Sequence, residues 1–173
     1  MQTTEDSKKL DQFLTFFVGA EEYAVSVLKV TEIIECSALT RVPGAPQWVR
    51  GVTNLRGSVV PVIDLAVKFG MPQTAVTGRT CVVVVEIEST DERLLLGVMC
   101  DAVHQVLDIP AGEIQPPPAF GPRVRVDCIL GMGIDGGKFV VILDIDRVLS
   151  SNELLAATAA LTDEELLPVA IEA

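Results

Sequence analysis

The sequence predicts an all-β protein made of two related small barrels followed by a helical tail, and three observations carry that reading. Short apolar runs recur between turn signals along most of the chain, the pattern of many short strands. The second half of that pattern repeats the first. Aromatic residues make up only 5% of a chain that is 49% hydrophobic, so the core must come from β-branched and aliphatic side chains suited to pleated strands. At 173 residues the chain is long enough to bury a core of that kind.

Taken in order, residues 1–12 are polar, carry charges of both signs and show no periodicity, which predicts a flexible N-terminal arm. A first β-barrel module is expected over 13–79, with strands at Phe13 to Val18, Tyr23 to Val27, Val30 to Ile34, Trp48 to Leu55 and Ser58 to Leu65. A second is expected over 80–149, with strands at Cys81 to Ile87, Leu94 to Met99, Val103 to Leu107, Cys128 to Ile134 and Lys138 to Ile145. Pro43 and Pro46 in the first module, and Pro110, Pro116, Pro117, Pro118 and Pro122 in the second, forbid central strands and mark loops. Residues 150–173 form the helical tail: Ser150 or Ser151 supplies a cap, and Thr162 with Glu165 has the spacing of a capping box.

The repeat is degenerate but ordered. Gly51 to Leu65 lies over Gly131 to Ile145 at an offset of 80 (131 − 51), and Tyr23 to Ile34 lies over Leu96 to Leu107 at an offset of 73 (98 − 25). Closing each module into a barrel removes the exposed strand edges that invite aggregation. The repeat also separates scaffold from specialisation. Gly51, Gly57 and Asp64 recur as Gly131, Gly137 and Asp144, so turn geometry and strand-end hydrogen bonding account for them. Asn54 falls on Ile134 and Arg56 on Gly136, so the hairpin does not need an arginine in order to turn.

The formal charge of −11 would repel a nucleic-acid backbone or an anionic membrane surface. Cys36, Cys81, Cys100 and Cys128 are widely spaced, and His104 is the sole histidine, so no zinc site is expected and the thiols read as free in a reducing cytoplasm. The longest apolar runs fall far short of the roughly 20 residues that span a bilayer. Asp64 and Asp144 occupy equivalent places, the logic of a paired-carboxylate enzyme, but the residues after them lack the small hydroxyl and glycine turn of such a site. The glycines at 131, 133, 136 and 137 are followed by a strand rather than a helix, which argues against a phosphate cradle. No catalytic, cofactor or metal site is expected. Arg56 at a hairpin tip presents a rigid fork of donors to a partner, and Glu32 sits among the apolar Val30, Ile33 and Ile34. Val27, Val30, Ile33 and Val98 are each compatible with barrel core or with a groove for a partner helix. Trp48, after two prolines, is expected to cover a barrel end.

Several segments in order carry a resemblance: Glu21-Glu22-Tyr23-Ala24-Val25, Leu28-Lys29-Val30-Thr31-Glu32-Ile33, Thr40-Arg41-Val42, Gly51-Val52-Thr53-Asn54-Leu55-Arg56-Gly57, Val60-Pro61-Val62-Ile63-Asp64-Leu65 and Glu113-Ile114-Gln115-Pro116. Over Phe13 to Ser151 the chain resembles the CheW family of bacterial chemotaxis coupling proteins. The resemblance implies two five-stranded SH3-like barrels and a non-catalytic, cytoplasmic adaptor. Such an adaptor links the cytoplasmic tips of chemoreceptors (methyl-accepting chemotaxis proteins) to the histidine kinase CheA in membrane-anchored arrays. It further implies a receptor groove at Val30, Glu32, Ile33, Gly51 and, across it, Val98, with the hairpin Asn54, Leu55, Arg56 and Gly57 contributing Arg56 as main contact. Kinase contacts would lie at the barrel ends, with no residues assigned. The departures at Ile34, Glu35 and Cys36 and in the loop from Pro116 to Pro122 bear on which receptors are served, and a paralogue of a non-flagellar chemosensory system is the alternative.

Overall fold

The computed structural model describes residues 12–36, 39–88, 93–117, 128–149 and 153. The expected N-terminal arm, apart from residue 12, and the expected helical tail, apart from residue 153, lie outside the described residues, as do Pro118 and Pro122. Ten strands are present among the described residues: β1 (Gln12–Val18), β2 (Glu21–Ser26), β3 (Val30–Glu35), β4 (Val49–Leu55), β5 (Ser58–Asp64), β6 (Cys81–Glu88), β7 (Arg93–Cys100), β8 (Ala102–Asp108), β9 (Ile129–Asp135) and β10 (Lys138–Leu143). Helix is confined to short pieces, including the single turn α1 (Leu65–Lys68). The all-β reading holds, and each strand falls on an apolar run that the sequence marks.

The strands form two five-stranded sheets, one ordered β3-β6-β7-β5-β4 and the other β8-β1-β2-β10-β9. Neither sheet follows the expected division into 13–79 and 80–149. Each takes its first hairpin from one half of the chain and its remaining three strands from the other. The connection after β7 explains the exchange. Only Asp101 separates β7 from β8. To build a contiguous barrel with the same strand order, β8 would have to cross β6, two strand spacings or about 9.6 Å away, whereas the Cα atoms flanking one residue lie at most about 7.6 Å apart. The chain therefore passes into the other sheet, and the β1–β2 hairpin makes the reciprocal move through the three-residue turn Val27–Lys29.

The two sheets share one register. The exchanged hairpins dock in parallel, Ala24 beside Ile142 in one sheet and Gly97 beside Val62 in the other, and the offsets of 73 and 80 carry one pair into the other. Bulges recur at matched places. Thr31 is skipped in the β3–β6 pairing and His104 in the β8–β1 pairing, while Arg50 is skipped between β4 and β5 and Leu130 between β9 and β10.

The largest core cluster lies across the exchange. Leu14, Phe16, Val18, Tyr23 and Val25 of one sheet pack with Val83, Val85, Leu96 and Val98 of the other. On β6, Val83 and Val85 enter that cluster while Val82 and Val84 enter a second one with Val62 and Met99. Burial on both faces is why β6 reads as a continuous valine run rather than an alternating strand.

Gly51 and Gly131 play one role in the two sheets. Thr40 and Val52 exchange backbone hydrogen bonds of 3.0 and 2.9 Å, and Gln115 and Met132 exchange bonds of 2.9 and 2.8 Å. A Cβ on Gly51 would lie 2.6 Å from the Thr40 carbonyl oxygen, and one on Gly131 would lie 2.7 Å from that of Gln115. Gly51→Ala and Gly131→Ala should each destabilise the fold by about 1–3 kcal/mol, the usual cost of overpacking, read as a lower urea midpoint with an unchanged slope. An unshifted midpoint in either variant would contradict this packing.

Candidate partner-binding site

The β4–β5 hairpin closes through Arg56 and Gly57, whose φ values are 52° and 88°, and the β9–β10 hairpin through Gly136 and Gly137 at 59° and 82°. Both φ values positive define a two-residue type I′ turn, whose twist matches that of the flanking strands. Asn54 steadies the turn by accepting the Gly57 N–H through Oδ1 at 3.0 Å. Arg56 is the one non-glycine residue with positive φ among the described residues. The left-handed conformation costs an L-residue with a Cβ about 1 kcal/mol. The matched turn avoids that cost with Gly136.

The Arg56 side chain is 82% exposed, and its Nη2 lies 3.3 Å from Oε1 of Glu32, whose side chain is 25% exposed. Two residues singled out separately in the sequence thus meet at the junction of β3 and β4, the edge strands of their sheet. The other sheet has an equivalent closure between its own edges. Gln105 Nε2 donates to Asp135 Oδ2 at 2.6 Å, and Gln105 is the repeat counterpart of Glu32. Each contact bridges the two edges of its sheet, as the curl of an SH3-like barrel brings them together. An exposed ion pair contributes only about 0–1 kcal/mol, no more than the turn strain costs.

Ile33, next to Glu32, leaves 44% of its surface exposed. Val30 is partly buried against the main core, and Leu55 packs on the cluster of Val62, Val82, Val84 and Met99. Val98 is only 1% exposed, within the shared core, so it cannot reach a partner across a groove. The implied position at Val98 is thereby corrected: β7 pairs on both sides and has both faces covered. Gly51 is likewise buried and acts through packing. The outward-facing set is Glu32, Ile33, Asn54, Arg56 and Gly57. Leu28, in the turn after β2, is also exposed. Its repeat counterpart is Asp101, a polar residue, and that substitution was the available signal.

A buried polar cluster fixes the strand end behind this hairpin. Asp64 is 0% exposed and accepts four hydrogen bonds: from Arg50 Nη1 at 2.7 Å, Thr74 N–H at 2.9 Å, Thr74 Oγ1 at 2.8 Å and Ala66 N–H at 3.1 Å. Asp144 caps only the Asp146 N–H, at 3.2 Å, with Arg147 3.6 Å away, and it is partly exposed. The two carboxylates belong to different sheets, and Asp64 is committed to structure. His104 sits at its bulge with Nδ1 2.8 Å from Glu22 Oε2 and its ring 5.0 Å from that of Phe17. Partial burial would push Glu22 up, but hydrogen bonding by His104, Thr15 and Gln105 holds its carboxyl below the ordinary value. Trp48 is half-buried against the core, with Lys68 Nζ 5.0 Å from the ring centre and paired with Glu153. The four cysteines are joined by no disulfide. Among the described residues no cluster of metal-ligating side chains occurs, and no helix is long and apolar enough to cross a membrane.

Paired barrels with an outward, strained and charged turn carry their distinguishing features on the surface. The chain belongs to the CheW-like family, whose domain model matches residues 12–153. Chemotaxis protein CheW of Klebsiella aerogenes is 36% identical over 143 residues, covering 83% of this chain and 84% of that relative. Protein FrzA of Myxococcus xanthus is 33% identical over 121 residues, 70% of this chain and 72% of the relative. The crystal structure of the scaffolding protein TtCheW from Thermoanaerobacter tengcongensis superposes with a TM-score of 0.74 at 26% identity, covering 83% of this chain and 90% of that one. The protein is accordingly a non-catalytic scaffold of the chemotaxis type.

Removing the buried carboxylate should separate the two repeats. Asp64→Ala strands the largely buried Arg50 guanidinium and should cost about 3–5 kcal/mol. Asp144→Ala removes one partly exposed cap and should cost about 0.5–2 kcal/mol. Chemical denaturation of both variants checks the difference, and equal losses would refute the asymmetry.

Proposed function

We propose that the protein works in the cytoplasm as the adaptor that joins chemoreceptor cytoplasmic tips to the histidine kinase CheA within receptor arrays. The observation that carries this reading is Arg56, held at φ 52° with 82% of its side chain exposed. A backbone cost borne at a position where glycine serves the matched turn is accounted for if the guanidinium is needed by a partner. Glu32 holds the guanidinium from one side and leaves other N–H donors free to take a carboxylate or carbonyl. Ile33 leaves an apolar side chain exposed on the other face of β3 from Glu32, a separate contact for a partner, and an acidic residue on a partner helix fits the guanidinium. Val30 and Leu55 back the surface from within, and Asn54 and Gly57 set the turn that aims Arg56.

An adaptor must hold two unlike partners at once. The divergence of the barrels supports that requirement: the positions of Asn54 and Arg56 are occupied by Ile134 and Gly136 in the other barrel. CheA is assigned to the molecule as a whole, without particular residues.

The test is binding of the full chain to a soluble receptor-tip fragment and, separately, to the CheA regulatory domain. Arg56→Ala should stay folded and lose at least about tenfold in affinity for the receptor tip, the size of one interface hot spot. Arg56→Gly removes the turn strain and the Glu32 ion pair together, two terms of similar size and opposite sign, so its melting temperature should stay within about 2–4 °C of the wild type, the shift of about 1 kcal/mol for a chain of this size, while it loses the same affinity. CheA binding should be unchanged in both. Receptor binding that survives both substitutions would overturn the assignment of Arg56, and a wild-type chain that binds neither partner would overturn the adaptor reading.

A further inference from the structure

We propose that Cys81 and Cys100 form an oxidation site, closing a reversible cross-strand disulfide when the protein meets a peroxide. The two residues are direct partners in the antiparallel β6–β7 register. Direct partners place their side chains on one face, with Cβ atoms roughly 4.5–5.5 Å apart, and a disulfide needs about 3.5–4.5 Å. The closure required is under about an ångström. The Cys100 sulfur already leans across the ladder, 3.6 Å from the Cys81 carbonyl oxygen. Both side chains join the same core cluster, whereas Cys36 packs on the opposite side of β6 with Val82 and Val84.

The two thiols differ in the way such a site requires. Cys81 is partly exposed, with its sulfur donating to the Arg79 carbonyl at 3.3 Å, so a small oxidant reaches it. Cys100 is buried, and burial, with Cys81 adding a smaller contribution, pushes its thiol up to about 12. Cys81 therefore reacts first. Its thiolate attacks one peroxide oxygen, the O–O bond breaks and the departing hydroxide takes up a proton, leaving a sulfenic acid and one water. The Cys100 sulfur then attacks the Cys81 sulfur, the S–S bond forms and the S–O bond breaks. The leaving hydroxide takes the Cys100 proton as a second water, so two thiols are oxidised and one peroxide is reduced.

The bond would lie at the open end of the β6–β7 hairpin, one residue before Asp101, where the chain crosses between sheets. It would clamp the exchanged hairpin at its exit. This inference does not depend on the receptor and kinase assignment.

The experiment treats the full-length protein with hydrogen peroxide, alkylates the remaining thiols, and maps peptides without reduction by mass spectrometry. Expected is a cross-link between the peptides carrying Cys81 and Cys100, with both thiols protected from alkylation and recovered by a dithiol reductant. Cys36→Ser and Cys128→Ser should keep the bond, and Cys81→Ser should abolish it. Cys100→Ala should leave a sulfenic acid at Cys81 that a dimedone probe captures. The wild-type map decides the matter even if Cys100→Ala fails to fold. A bond to Cys36 or Cys128, a Cys81 sulfinic acid without a cross-link, or free thiols at both positions would overturn the proposal.

Discussion

The single residue between β7 and β8 is the constraint on which the architecture depends. Asp101 cannot carry the chain over a neighbouring strand, so the second half must leave its own hairpin in the other sheet. The first half does likewise, and the barrels become interlocked. Asp101 is pinned at this crossing: its N–H donates to the Phe17 carbonyl at 2.8 Å, and its carboxylate accepts the Gly19 N–H at 2.6 Å. The crossover of one hairpin is thus tied to the turn of the other. Because the largest core cluster draws on both sheets, neither barrel can lose its packing without exposing the other's. Cooperative folding of the pair follows from that shared core.

That interlocking holds the candidate site rigid. Glu32 and Ile33 ride on β3, which pairs with β6 from the far half of the chain, while Arg56 rides on a hairpin whose β5 strand is docked on β7. The site is therefore positioned from both halves even though its residues come from one. Behind it, the saturated Asp64 cluster fixes the end of β5 and ties it to the segment around Thr74. Local energetics at the tip give no reason for an arginine, since the ion pair and the turn strain are of similar size and opposite sign.

Strand positions were legible because most strands bury at least one face and β3 alternates half-buried with exposed residues, and the repeat made the equivalence of the two hairpins legible as well. Which strand lies beside which was not, because periodicity reports a strand's faces and not its neighbours. The division into 13–79 and 80–149 follows the break in the strand pattern, whereas the near absence of a linker between Leu94 to Met99 and Val103 to Leu107 is the sequence feature that bears on the exchange. Val98 was undecidable for a related reason: a strand covered on both faces has no alternation to separate inside from outside. Arg56 and Glu32 could each be singled out, but their contact is a tertiary fact about two sheet edges meeting. Asp64 was recognisable as scaffold from its recurrence at Asp144. Its partners Arg50 and Thr74 were not, because the first falls on Leu130 in the repeat and the second lies in a stretch that the two halves do not share.

The two barrels act as an internal control on each other. They satisfy one register, with the same bulges, the same turn type and the same close glycine contact, using two sequences. Whatever differs between them at outward positions is therefore not demanded by the fold. Arg56 against Gly136, Asn54 against Ile134 and Leu28 against Asp101 are such differences. Ile134 and Phe139 face each other across β9 and β10 and are exposed, where the first barrel has the polar Asn54 opposite the half-buried Val59. A duplicated unit would by itself present two copies of one surface and recruit two copies of one partner. Divergence at outward positions turns the same interlocked frame into a molecule with two unlike faces, and joining unlike partners requires that of a scaffold.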